Sequence, residues 1–180
     1  MILFIGIAGA GKTTQAERLA EHFNCPHISV GQVLRDNLPP EELAKQKQGL
    51  LIDDAIVLPI VEGEFHRRHA ESSELVIDGF LRKLGEAEWL RTKIDEGVVK
   101  LTAIIELTLS KDEAKLRLTK RGRSDDSDEG INKRFEEFEA KVTPIIDFLD
   151  HHNMPVTTIN GDQTEDEVFR DIISELNRKL

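Results

Sequence analysis

The 180-residue chain has no tyrosine, one tryptophan, two methionines and one cysteine, and aromatic residues make up only 5% of it. A lone Cys25 cannot close an internal disulfide, which suits a reducing, cytoplasmic compartment. No neighbouring residue activates it, so it reads as a small buried hydrophobe and not as a nucleophile. Long apolar stretches are missing as well. The N-terminal run MILFIGIAGAG is too short to cross a bilayer and lacks a basic leader and cleavage site, so no membrane partner is expected. Cations are scarce: 24 lysines and arginines face 34 acids, a formal charge of −10. That balance excludes the broad basic face through which a protein neutralises nucleic-acid phosphates. An anionic small molecule remains admissible where the few cations gather in one cleft. There is no internal repeat and no low-complexity linker.

What is present fits one globular domain with a real core, at 39% hydrophobic and 32% charged residues. Four short runs rich in Ile, Leu and Val do not alternate with polar residues: Ile2–Ile7, Leu75–Ile77, Leu101–Leu107 and Val156–Ile159. Such runs predict parallel strands covered on both faces, with His27–Val30 as a weaker fifth candidate. Helical spacing appears in Ala16, Leu19, Ala20 and Phe23, and again from Ile131 through Phe135, Phe138, Val142 and Ile145 to Leu149. Pro144 predicts a kink or a new helix within the second pattern. Thr164 followed by Glu167 is a capping box opening a last helix. Strands alternating with helices predict right-handed βαβ units in a three-layer α/β/α fold around a five-stranded parallel sheet. Two stretches break the rhythm: a helical segment at Gly31–Leu58 and a polar one at Arg121–Gly130. Insertions of this kind sit over the carboxyl edge of a parallel sheet, where ligands bind.

The sharpest local signal is Gly6-Ile-Ala-Gly-Ala-Gly11-Lys12-Thr13, a GxxxxGK[ST] loop directly after the first strand and opening a helix. Successive backbone N–H groups there form an anion nest at the positive end of a helix. Lys12 would reach the β- and γ-phosphates of a nucleotide, and the Thr13 hydroxyl would ligate Mg²⁺. No base-reading NKxD follows, since Asn132-Lys133-Arg134-Phe135 lacks the aspartate. A phosphoryl donor for a second substrate is therefore expected, in place of a GTPase switch.

The order of further motifs resembles the adenylate kinases, a family of nucleoside monophosphate kinases. GIAGAGKTTQAERLA looks like their opening, including Gln15. Ile28-Ser-Val-Gly31-Gln-Val-Leu-Arg35 resembles their IS-TGD-LR segment, and Val76-Ile-Asp78-Gly-Phe-Leu-Arg82 their LDGFPR. Arg117-Leu-Thr-Lys-Arg121, Gly122-Arg123-Ser-Asp125-Asp126 and Lys133-Arg134-Phe135 resemble the lid and its flanks, with Asn160-Gly161 after the last strand. The resemblance implies transfer of the ATP γ-phosphoryl group to a nucleoside monophosphate, AMP above all, by a monomer. ATP would be held by Gly9, Ala10, Gly11, Lys12, Thr13, Thr14, Arg117 and Arg121. The monophosphate would be held by Val30, Gly31, Arg35, Ile52, Gly79, Arg82 and Glu86. Thr13 and Asp78 would position Mg²⁺, partly through water. Lys12, Arg82, Arg121, Arg123 and Arg134 would stabilise the transferred group, whose loose transition state asks mainly for positioning and positive charge. The implied division is a core of residues 1–29, 59–120 and 131–180, an acceptor-binding insertion at about 30–58 and a short lid at about 121–130.

The chain departs from the family pattern in its lid and at several positions of the acceptor segments. Only Gly122 separates Arg121 from Arg123, and no cysteine is there, so the lid is clipped and no zinc is expected. Leu81 replaces the proline that follows GF. Glu86 takes the position of a glutamine that reads adenine, and Val30 that of a threonine. An ionised glutamate only accepts hydrogen bonds, which suits the adjacent donors of guanine better than adenine N1. GMP is thus a second possible acceptor, and a helix-start charge facing solvent is the plainer reading of Glu86. Two more distant functions also fit the motifs: a P-loop kinase for another small molecule, and a nucleotide sensor that binds without catalysis.

Overall fold

A computed structural model describes residues 1–47, 50–121, 128–154 and 156–179. In chain order the elements are β1 (Ile2–Gly6), α1 (Lys12–Phe23), β2 (His27–Ser29), α2 (Val30–Asn37), α3 (Pro40–Lys47), α4 (Asp54–Arg67), β3 (Val76–Asp78) and α5 (Leu84–Asp95). They continue with β4 (Ala103–Thr108), α6 (Lys111–Arg121), α7 (Asp128–His151), β5 (Val156–Asn160) and α8 (Glu165–Lys179). All five strands run parallel in the order β2-β3-β1-β4-β5. The expected α/β/α sheet is what forms.

Period-2 alternation sends neighbouring strand residues to opposite faces. Leu3, Ile5, Ile28 and Ile77 join one core with Phe65, Leu90 and Leu149. Ile2, Phe4, Val76 and Ile105 join another with Leu19, Leu118 and Ile172. Each core covers one face of the sheet, which leaves its carboxyl edge for ligands.

Several boundaries differ from expectation. β3 and β4 begin later than Leu75 and Leu101, and four strands end on polar residues, Ser29, Asp78, Thr108 and Asn160. Apolar runs mark burial, whereas strand pairing is made by the backbone and runs on into the polar carboxyl edge. No new helix starts at Pro144, which lies inside α7. Ile131 and Phe135 bury into one core and Ile145 and Leu149 into the other, so both ends of the helix are anchored. One missing N–H does not outweigh that burial. α7 also begins at Asp128, inside the stretch read as a polar loop, acids being favoured in the first turn of a helix. The capping box is present: Thr164 N donates to Glu167 Oε2 at 3.0 Å, and Glu167 N to Thr164 Oγ1 at 3.3 Å.

Candidate active site

The glycine loop leaves β1 at the centre of the sheet and winds into α1. Gly6 has φ 141°, and a Cβ there would collide with the Leu107 carbonyl of β4. Gly11, at φ 88°, is the left-handed residue before α1. Both positions need glycine, one for close approach and one for dihedral sign. Lys12 Nζ donates to the Gly6 and Ile7 carbonyls, both at 2.7 Å, so the lysine is folded back over its own loop.

Beneath the loop, Asp78 at the end of β3 is 2% exposed. Its Oδ2 accepts the Thr13 hydroxyl, while Oδ1 is buried without a hydrogen-bond donor. His27 Nε2 faces that oxygen at 3.8 Å, an ion-pair distance beyond hydrogen-bond reach. Burial pushes the Asp78 carboxyl up, but the His27 imidazole and the Thr13 and Ser29 hydroxyls outweigh it and hold it below the usual value. A carboxylate kept ionised beside a hydroxyl, with one bare oxygen, fits a hard cation that keeps most of its waters, as Mg²⁺ does. Among the described residues no cluster of three or more His, Cys, Asp or Glu side chains could hold a metal.

The segments around Gly31 and Gly79 meet at the same edge. A Cβ on Gly79 would lie 3.5 Å from Gly31 N and 3.8 Å from Arg82 Nη2, and one on Gly31 would lie 3.6 Å from Arg35 Nη1. Arg35 is steadied by Gln32 Oε1, which accepts from Nε at 3.1 Å and Nη2 at 2.7 Å. On the other flank Arg117 donates to the Gly161 carbonyl at 2.9 Å and pairs with Glu113 at 2.7 Å.

One cleft of about 1540 Å³ gathers these groups: Gly9, Ala10, Gly11, Lys12, Thr13, Thr14, Gly31, Arg35, Asp78, Gly79, Arg82 and Arg117 all line it. Val30, Ile52 and Glu86 do not; they are 2%, 5% and 4% exposed and sit behind the lining. The solvent-facing reading of Glu86 is thereby overturned. Its carboxylate turns inward and accepts the Arg82 backbone N–H at 2.5 Å. Burial pushes that carboxyl up, the Arg82 N–H opposes the shift, and the Asp54 carboxylate adds to it. Arg123 lies outside the described residues, as do the side chains of Arg121, at the end of α6, and Arg134, in α7. Cys25 is half-buried, and burial raises its thiol pKa, in keeping with an inert role.

Sequence reasoning missed several groups that line the cleft: His27, Gln32, Glu64 and Arg67 from α4, and Arg68 just after it. Arg67 and Arg68 both pair with Glu64. Nothing in their spacing sets them apart from a solvated helix face. His27 was visible only as the start of a weak strand.

No helix among the described residues is long and apolar enough to cross a membrane. The sequence model of the family described as adenylate kinase matches residues 4–154. Among curated proteins, adenylate kinase 1 of a Nostoc species is 34% identical, the match covering 97% of both chains. An adenylate kinase of a Mycobacterium species is 33% identical over 98% of this chain and 99% of its own. One from a Synechococcus species is 38% identical over 151 residues, 81% of each chain. This chain belongs to the adenylate kinase family.

Proposed function

We infer that this chain is a phosphotransferase that moves the γ-phosphoryl group of ATP, with Mg²⁺, to a nucleoside monophosphate, with AMP as the acceptor. The observation that carries the reading is the meeting in one cleft of the glycine loop with Lys12 and of Arg35 and Arg82 from two distant segments. Guanidinium forks pair with phosphate through two hydrogen bonds and stay charged at any working pH. In this reading the loop amides and Lys12 hold the donor phosphates, Arg117 lies against the donor base, and Arg35 and Arg82 hold the acceptor phosphate. Arg121, Arg123 and Arg134 close on the transferred group. Thr13 and Asp78 would hold Mg²⁺, which when bound neutralises charge on the β- and γ-oxygens. The acceptor phosphate is already anionic at pH 7, so the residues need to position it and exclude water, and no general base is required. Residues at about 30–58 would close over the acceptor and those at about 121–130 over the donor.

The test is a coupled assay of ADP formation with ATP and AMP, GMP, CMP or UMP in turn. The expected result is turnover fastest with AMP. No turnover with any monophosphate, together with micromolar ATP affinity, would replace the reading with a sensor. ATP consumption only with some other acceptor would replace it with a different kinase.

A further inference from the structure

The loop that carries Arg82 is gripped from two sides. From beneath, Glu86 in the first turn of α5 accepts the Arg82 backbone N–H at 2.5 Å. From the flank, Lys83 Nζ donates to the Ile52 carbonyl at 2.5 Å and pairs with Asp54 Oδ1 at 2.6 Å. Ile52 and Asp54 stand just before and at the start of α4, where the helical insertion rejoins the core. Asp54 also lies close against the first turn of α5, since a Cβ on Gly85 would come within 2.9 Å of its Oδ2.

The gripped loop is not a relaxed one. Gly79 has φ 75°, and Leu81, a buried side-chain-bearing residue, has φ 59°. Left-handed backbone at leucine persists only where the surroundings over-determine it. Arg82 follows that strained residue and lines the cleft, whereas Glu86 is buried away from it and Lys83 lines a separate cavity with Asp54. A carboxylate sealed from the cleft and bonded to a main-chain N–H is badly placed to read a purine edge.

We propose that Glu86 and the Lys83–Asp54 ion pair are positioning groups: they fix Arg82 against the acceptor phosphate and do not select the acceptor base. The inference rests on the reading of the acceptor as a nucleoside monophosphate. A clamp acting through Arg82 affects every monophosphate alike, because all of them present the same phosphate. A base reader affects them unequally. Loss of alignment at a reacting group costs up to about 10²-fold.

The experiment compares wild type with Glu86→Leu, Glu86→Gln, Lys83→Met and Lys83→Arg, using AMP and GMP. Acceptor kcat/KM is expected to fall about 10- to 100-fold in Glu86→Leu and about 3- to 10-fold in Lys83→Met. The KM for ATP and the AMP:GMP preference should each stay within about threefold of wild type, since neither the donor site nor the base is touched. Glu86→Gln keeps an acceptor for the Arg82 N–H, and Lys83→Arg keeps the charge, so each should recover most of the loss. Asp54→Asn combined with Lys83→Met should be no worse than the poorer single variant, as partners in one interaction are not additive. A tenfold or larger change in AMP:GMP preference in Glu86→Gln, or unchanged acceptor kinetics in Lys83→Met, overturns the proposal. AMP affinity read from the single tryptophan, Trp89, whose ring centroid is 5.9 Å from that of Phe80, does not depend on turnover. A wild type that binds AMP without phosphorylating it refutes the kinase reading, while loss of that binding in Glu86→Leu and Lys83→Met still supports the clamp.

Discussion

Three glycine-to-alanine substitutions should fall in an order set by the backbone. Gly63, within α4, has no positive φ and nothing within 4 Å of an added Cβ. Alanine there lowers unfolded-state freedom at no steric cost and should stabilise by about 0.5–1 kcal/mol. Gly11 also has open space around a Cβ, but its φ is 88°. The left-handed cost of about 1–2 kcal/mol, less a few tenths to about 1 returned from the unfolded state, leaves a net loss near 1 kcal/mol. Gly6 combines φ 141° with overlap of the Leu107 carbonyl, which is held in the ladder between β1 and β4. Dihedral strain of about 1–3 kcal/mol and overpacking of about 1–3 kcal/mol add to a loss of about 2–6 kcal/mol. At roughly 2–4 °C per kcal/mol for a domain of this size, melting should rise by about 1–4 °C, fall by about 2–4 °C and fall by about 4–24 °C respectively. Guanidinium denaturation followed by Trp89 fluorescence, with thermal melts beside it, measures all three. ATP titration adds the functional half: Gly11→Ala should weaken binding and Gly63→Ala should not. A Gly6→Ala protein as stable as Gly11→Ala, or a destabilised Gly63→Ala, would refute the reasoning.

Replacing Arg35 or Arg82 by methionine should raise KM for AMP about 10- to 100-fold, the worth of a charge-assisted hydrogen bond of about 1.5–3 kcal/mol. KM for ATP should move no more than about twofold, and an equal rise for both substrates would count against the division of the cleft. Asp78 is held below its ordinary value of 3.8, so its stabilising contribution is complete above that pH and drains away as pH falls through the lower folded value. The stability gap between wild type and Asp78→Asn should therefore be full at pH 7 and shrink below about 3.8, as measured by denaturation across pH. Glu86 is shifted the other way. Its ionisation opposes folding, with no penalty below 4.5 and a growing one as pH rises from there. Glu86→Gln should thus gain stability relative to wild type between acid and neutral pH, and a gap independent of pH would contradict the raised carboxyl.

Much of the architecture was legible because parallel strands buried on both faces must be apolar and uninterrupted. The glycine loop was legible because its dihedral signs and close approaches leave few residue choices. The strand ends were not, since Asp78, Thr108 and Asn160 pair through the backbone while their side chains are polar. The burial of Glu86 was not legible for a related reason. Its partner is a main-chain N–H four residues earlier, and no side-chain pattern records such a bond. An acid four residues after Arg82, at the start of a helix, is the signal that could have raised it. Arg67 and Arg68 were hidden differently: they line the cleft from the end of α4, and which face of that helix meets the cleft is set by tertiary packing, which helical periodicity does not encode.

The charge distribution explains how so acidic a protein can take two anionic substrates. Among the described residues, the cleft is lined by eight of the chain's 24 lysines and arginines but by only six of its 34 acids. The cleft is thus biased positive inside a shell that is strongly negative. Field lines from a concave cationic site with a repelling exterior converge on its mouth, so an approaching polyphosphate is turned away elsewhere and drawn in there. The partners of the cations refine this bias. Arg35 is oriented by the neutral Gln32 amide, at the position where the family motif has an aspartate, so the fork is held without a counter-charge from that side chain. A carboxylate at that position would orient Arg35 equally well but would have to be displaced or repelled by the incoming phosphate. Holding Arg35 with a dipole leaves its charge for the phosphate it is proposed to bind.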